Sequence, residues 1–164
     1  MDLNELIQAL NNVTEQELKE LKRLIDGHKE IILIGNGGSN AIASHMAVDY
    51  IKFLGKKCYV PNASDLMTMI VNDYGVENMY SKFIEYTHSK DSLVILISSS
   101  GNSQNIINAN FTASDLGLGI ITLTGFDRNN KLSSLSRGSL DIWVDSRSYG
   151  VVEMAHHSIL HSVV

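Results

Sequence analysis

His45 and Asp49 stand four residues apart, and Glu153, His157 and His161 repeat that interval near the end of the chain. With about 3.6 residues per turn, side chains four apart share one face of a helix. A histidine–carboxylate pair on each of two helices offers four metal ligands, or a base and an acid that move a proton. Solvated helix faces carry the same spacing, so the interval alone leaves an ordinary surface reading open. His156 lies off this face and points elsewhere.

Two short polar segments suit a different chemistry. Gly35-Asn36-Gly37-Gly38-Ser39-Asn40 follows one apolar run, and Ser98-Ser99-Ser100-Gly101-Asn102-Ser103 follows another. Glycine lets a backbone approach an anion and adopt positive φ. If a helix begins after each loop, its first N–H groups are unpaired and carry partial positive charge. Four serine hydroxyls in the second loop add donors at short reach. Together these groups suit a phosphate. No Gly-Lys-Ser/Thr follows either loop, so neither is a Walker A motif. The first does not match Gly-x-Gly-x-x-Gly, which disfavours a dinucleotide. One such loop alone could be a plain turn with capping serines; two in one sheet favour phosphate.

The elements that must position these groups are legible as a pattern. Residues 3–26 read as helix, with a second helix starting at the capping-box pair Thr14 and Glu17 and ending at Gly27. Strands are expected at 31–34, 58–60, 93–97, 119–123 and 140–144. Helices are expected at 39–53, at 64–71 with Ser64 as cap, at 77–88, at 103–115 and at 151–164. Short strands alternating with helices predict an α/β fold: a three-layer, doubly wound, five-stranded parallel sheet. Such sheets bind ligands beyond the carboxyl ends of their strands, where both polar loops fall.

Composition fits one domain spanning 1–164. The chain has 164 residues, 44% hydrophobic and 19% charged, which excludes a disordered segment. A net charge of −5 argues against nucleic-acid binding, though not against a local basic pocket. No apolar run reaches the roughly 18 residues of a membrane span. The acidic, periodic start is unlike a signal peptide, and the single cysteine, Cys58, suits a reducing cytoplasm. Cys58 is expected to be buried and inert, Trp143 to be core, and His28 and His88 to sit at helix ends. Lys131 and Arg147 could assist an anion or simply be solvated.

The two loops, with Asn72-Asp73-Tyr74-Gly75, Ile120-Ile121-Thr122-Leu123-Thr124-Gly125 and the histidine-bearing last helix, resemble the sugar isomerase (SIS) domain family. The similarity covers nearly the whole chain and is greatest to the bacterial phosphoheptose isomerases. It implies a flavodoxin-like SIS domain that isomerises sedoheptulose 7-phosphate to an aldose heptose 7-phosphate through an enediol. By resemblance, Ser98, Ser100 and Ser103 hold the phosphate, and Ser99 lies near the reacting carbons. Asn36, Gly37, Gly38 and Ser39 line the sugar side. Asn72 and Asp73 contact a sugar hydroxyl, unless they form a plain turn. Asp49 and His161 match the family's proton-transfer pair. His45, Asp49, Glu153 and His161 match positions that bind zinc in some members; His157 has no counterpart in that set.

This chain departs from the family pattern at three positions. Asp49 is one methylene shorter than the usual Glu, Glu153 replaces a neutral Gln, and Gly150 stands where an acidic residue is usual. The resemblance also implies a cytoplasmic homotetramer, with helices 3–26 used in assembly, acting in lipopolysaccharide or capsule heptose biosynthesis. Two other readings are open. One is a non-catalytic phosphosugar-binding or assembly module, such as the type that associates with a replication initiator. The other is an isomerase of another sugar phosphate. Retention of His45, a carboxylate at 49 and His161 favours the enzyme.

Overall fold

The structure, a computed structural model, describes residues 1–135 and 140–164. Helices α1 (Leu3–Asn11) and α2 (Glu15–Gly27) lead into strand β1 (Glu30–Gly35). The Thr14–Glu17 capping box is formed: Thr14 N–H donates to Glu17 Oε2 at 2.8 Å, and Glu17 N–H to Thr14 Oγ1 at 3.2 Å. It pairs two of the orphan donors at the start of α2, each worth about 1 kcal/mol. Helix α3 (Gly38–Leu54) ends at Gly55, whose φ of 65° is the left-handed stop that the sequence suggests.

Strand β2 (Lys57–Tyr59) and helix α4 (Ser64–Tyr74) follow. Ala63 is the N-cap of α4 and Ser64 its first residue, so the expected Ser64 cap is not made. The helix expected over 77–88 is a 3₁₀ turn, Val76–Asn78, running into α5 (Met79–Thr87). Strand β3 (Ser92–Ser98), helix α6 (Gln104–Asp115) and strand β4 (Gly119–Thr124) come next. A short helix that the pattern did not suggest, α7 (Lys131–Leu135), precedes β5 (Leu140–Trp143). The last helix, α8 (Tyr149–His161), begins two residues earlier than expected and closes on His161.

All five strands are parallel, in the order β2-β1-β3-β4-β5. The predicted fold class is therefore found. The chain order reverses between β1 and β3, so the loops leaving those two strands flank the switch-point crevice. Registry brings them level: Gly35 pairs with Ile97, and Ser98 with Thr124.

Alternate residues of β1 feed opposite faces of the sheet. Ile31 and Leu33 pack with Leu21, Met46, Tyr50, Val152 and Ile159 on one side. Ile32 and Ile34 pack with Ile70, Phe83, Ile84 and Ile106 on the other. Continuous apolar strands are what two-sided burial requires. The side holding α3 and α8 carries the histidines, and Tyr50 OH ties the two helices by donating to Leu160 O at 3.0 Å.

Two expectations about edge strands need correction. Trp143 is only half buried, because among the described residues β5 has no strand on its far side; the Arg128 guanidinium lies 5.6 Å from its ring. Cys58 lies on edge strand β2 and is partly exposed. The burial it does have pushes its thiol up to about 11, which keeps it protonated and unreactive. His28 and His88 close α2 and α5, each with Nδ1 on a carbonyl four residues back, as expected. Among the described residues no helix is long and apolar enough to cross a membrane.

Candidate active site

The two polar loops meet at the carboxyl ends of β1 and β3. Asn36, Ser39, Ser98, Ser99, Ser100 and Ser103 line one cleft of about 120 Å³, together with Ile97, Tyr149 and Glu153. Each loop opens a helix without capping it. Gly37 is the N-cap of α3 with φ 52°, and Ser103 is the N-cap of α6; neither makes a side-chain cap hydrogen bond. In α3 the Ser39 and Asn40 N–H groups donate back to Asn36 O and Gly37 O, both at 3.0 Å, and the dipoles of the two helix starts favour an anion. The Ser99 hydroxyl is buried in this cleft with no partner among the described residues. A buried hydroxyl without a partner costs free energy that a bound polar group can return.

The loops are braced from outside the motifs. Tyr80 OH donates to Gly35 O at 2.7 Å and lies 3.0 Å from Asn36 Oδ1. Burial pushes this phenol up to about 12, so it stays a donor. Asn36 and Asn105 exchange amide hydrogen bonds, both at 3.0 Å. The serine loop is clipped by the start of α7: Leu132 N–H donates to Gly101 O at 2.9 Å and Lys131 N–H to Asn102 Oδ1 at 3.1 Å. Lys131 therefore serves this loop through its backbone, and Arg147 is exposed. Tyr80, Asn105 and Asn130 carry no motif signal, since each lies 27 or more residues from the loop it supports.

Further along α3 and α8 the titratable groups converge. Asp49 Oδ2 lies 3.3 Å from His45 Nε2 and 3.4 Å from His161 Nε2, and the two imidazole nitrogens are 3.3 Å apart. His157 joins them, with ring nitrogens of His45, His157 and His161 all within 4.8 Å of one another. Its ring meets His45 edge-on at 4.8 Å. Burial, and then the neighbouring imidazoles, hold the His157 pKa below the usual histidine range. Glu153 sits apart from this group. Its carboxylate lies against Gly38, where a Cβ would come within 2.5 Å of Oε1, and it lines the serine cleft. Asn72 and Asp73 are exposed at the end of α4, bonded to each other at 2.9 Å, and do not line that cleft. The cluster suits a divalent ion by donor type, imidazole nitrogen with carboxylate oxygen.

His156 is fully buried on the opposite side of α8, where its Nε2–H donates to Thr124 O at 3.0 Å. Burial pushes its pKa down to about 4. Unfolding restores the ordinary value of about 6.5, so the unfolded chain binds the extra proton between those values. Stability from this group is present above about pH 6.5 and lost as pH falls toward about 4, on the order of 3 kcal/mol in all. Urea midpoints at pH 7, 5.5 and 4.5 should fall in that order. An unchanged midpoint across that range contradicts a neutral, buried His156.

Comparison with known proteins agrees with this fold. The SIS domain family model matches residues 3–125. The phosphoheptose isomerase of Aliarcobacter butzleri is 31% identical, over 96% of this chain and 85% of that protein. That of Colwellia psychrerythraea is 33% identical, over 85% of this chain and 74% of that protein. Among solved structures, phosphoheptose isomerase GmhA from Neisseria gonorrhoeae superposes with a TM-score of 0.90 at 24% identity, covering 98% and 91% of the two chains. The Vibrio vulnificus NanR protein complexed with ManNAc-6P shares the fold with a TM-score of 0.71 at 20% identity, over 98% of this chain and 58% of that one.

Proposed function

This chain belongs to the SIS domain family, with the phosphoheptose isomerases, and on that footing we propose that it isomerises sedoheptulose 7-phosphate to the corresponding aldose. The observation that carries the reading is the Asp49 carboxylate oxygen shared by two imidazoles at 3.3 and 3.4 Å. A module that only bound a phosphosugar would need the loops and not this group.

The phosphate is held by Ser98, Ser100, Ser103 and the uncapped start of α6, which leaves the other end of the sugar to be oriented. Asn36, held by Tyr80 and Asn105, and Ser39 face the sugar. Asp49 takes the proton from C1 of the ketose, and the electron pair forms the C1–C2 double bond of an enediol. His161 carries the O1 proton to O2, and Asp49 returns its proton to C2. The C1 aldehyde and C2 hydroxyl of the aldose result, with no net gain or loss of protons. Ser99 donates to an oxygen of the reacting carbons. When bound at the histidine cluster, a zinc ion would polarise the carbonyl. Ligation and proton abstraction would then both draw on Asp49.

His45 and His161 are exposed in the single chain, as are Leu3 and Ile7 on α1 and Val48 and Ile51 on α3. These surfaces support assembly into a homotetramer, in which a neighbouring copy would cover the cluster. A cytoplasmic enzyme supplying heptose to lipopolysaccharide or capsule is the setting that fits this activity. Incubation with sedoheptulose 7-phosphate, with and without added zinc, tests the proposal by aldose formation. Binding of the sugar phosphate without turnover in either condition overturns it in favour of a binding module. Turnover of a different sugar phosphate in preference overturns the substrate assignment.

A further inference from the structure

The histidine cluster contains one imidazole that the resemblance to known zinc-binding members does not place there. We propose that this chain holds a zinc ion through His45, Asp49, His157 and His161, with the Glu153 carboxylate outside the ligand set and on the substrate side. The proposal refines the metal part of the isomerase reading and shares its site.

Geometry carries it. In a tetrahedral zinc site with metal–ligand distances of about 2.0–2.1 Å, ligand atoms stand about 3.3–3.4 Å apart. His45 Nε2, Asp49 Oδ2 and His161 Nε2 are separated by 3.3, 3.4 and 3.3 Å. Three of the four corners are therefore already set as one face of a tetrahedron. His157 brings a ring nitrogen within 4.8 Å of those of His45 and His161, and its Nε2 is buried with no hydrogen-bond partner among the described residues. Rotation of the His157 side chain toward the other three would place this nitrogen at the fourth corner, and the ion would then satisfy a nitrogen that is otherwise costly to bury.

Glu153 lies one turn nearer the loops. Its carboxylate is wedged against Gly38 and faces the cleft of Ser98, Ser99 and Ser100. Reaching the cluster would require it to leave that contact. A carboxylate on the α8 wall of the cleft can accept a hydrogen bond from a sugar hydroxyl.

The test uses the full chain, stripped with a chelator and titrated with Zn²⁺ against a chromophoric competitor. A parallel Co²⁺ titration reports four-coordinate geometry through visible absorption. The expected result is about one ion per chain, with His157→Ala and His157→Gln each weakening binding at least about tenfold. Glu153→Gln should bind within about threefold of the parent chain. Circular dichroism and melting curves separate a ligand effect from misfolding, and the conservative Gln variant guards against a cavity. The proposal is overturned if Glu153→Gln weakens binding as much as the His157 variants do. It is equally overturned if both His157 variants, folded, bind like the parent, or if the parent takes up no ion at micromolar concentration. None of these readouts needs substrate, so failure here is distinguishable from failure of the isomerase reading.

Discussion

Asp49→Asn should lower turnover of sedoheptulose 7-phosphate by about 10²–10⁴-fold, the usual contribution of a positioned general base. The exchange keeps the side chain's volume and one acceptor oxygen, and removes the negative charge and with it the ability to take a proton. Its neighbours Met46 and Tyr50 on α3 are buried and untouched, so the helix should keep its place. Phosphate anchoring is assigned to the serine loop that opens α6, a different element from the α3 that carries Asp49. KM should therefore change far less than kcat, the mark of an interaction lost in the transition state. His161→Ala should cause a loss of similar size, since the oxygen-to-oxygen proton transfer then has no carrier.

Adding zinc separates the two roles of Asp49. If the carboxylate acts mainly as a ligand, saturating zinc should restore much of the activity of Asp49→Asn. If it acts as the base, zinc should restore none. Turnover within about threefold of the parent in either variant, without added metal, would remove that residue from the proton path.

Gly101→Ala should destabilise the fold by about 2–4 kcal/mol and raise KM for the sugar phosphate at least tenfold. Gly101 has φ 61°, a conformation that costs a non-glycine residue about 1–2 kcal/mol. A Cβ there would also stand 2.0 Å from Asn130 Oδ1 and 2.2 Å from its Cγ. Asn130 cannot easily give way. It is 2% exposed, its amide donates to Asp127 O at 2.9 Å, and its Oδ1 accepts from Ser133 N at 2.9 Å. The strain would be relieved by moving the loop that holds Ser98, Ser100 and Ser103.

Gly117 provides the comparison. Its φ is 68°, but among the described residues nothing lies within 4 Å of its Cβ position. Gly117→Ala should cost only about 1–2 kcal/mol and leave KM unchanged. Urea midpoints and KM for both variants check the argument. Equal effects on both quantities would show that the Asn130 contact does not support the loop.

Much of the fold was legible because it rests on local periodicity. Apolar runs such as 31–34 and 93–97 read as two-sided strands, and a ligand is expected beyond their carboxyl ends. The cap at Thr14 and the stop at Gly55 are local devices, made by residues a few positions apart. What escaped was whatever depends on contacts across the chain. Trp143 reads as core by type and lies at an open edge, because strand order and not strand composition decides which strand is last. Asn105 pairs with Asn36 across 69 positions, and no interval in the sequence announces it.

The histidine cluster divides along the same line. The sequence by itself determined that His45 and Asp49 share one helix face and that Glu153, His157 and His161 share another, because helical pitch is a local property. It also determined that two glycine- and serine-rich loops would start helices with unpaired N–H groups. It could not say which of the three side chains on α8 would meet the pair on α3. That choice depends on the rotation and slide of α8, which buried packing of Val152, Ala155 and Ile159 and the His156–Thr124 hydrogen bond hold in place. With α8 so placed, His157 and His161 face the pair on α3, and Glu153 is carried to Gly38 and the serine cleft.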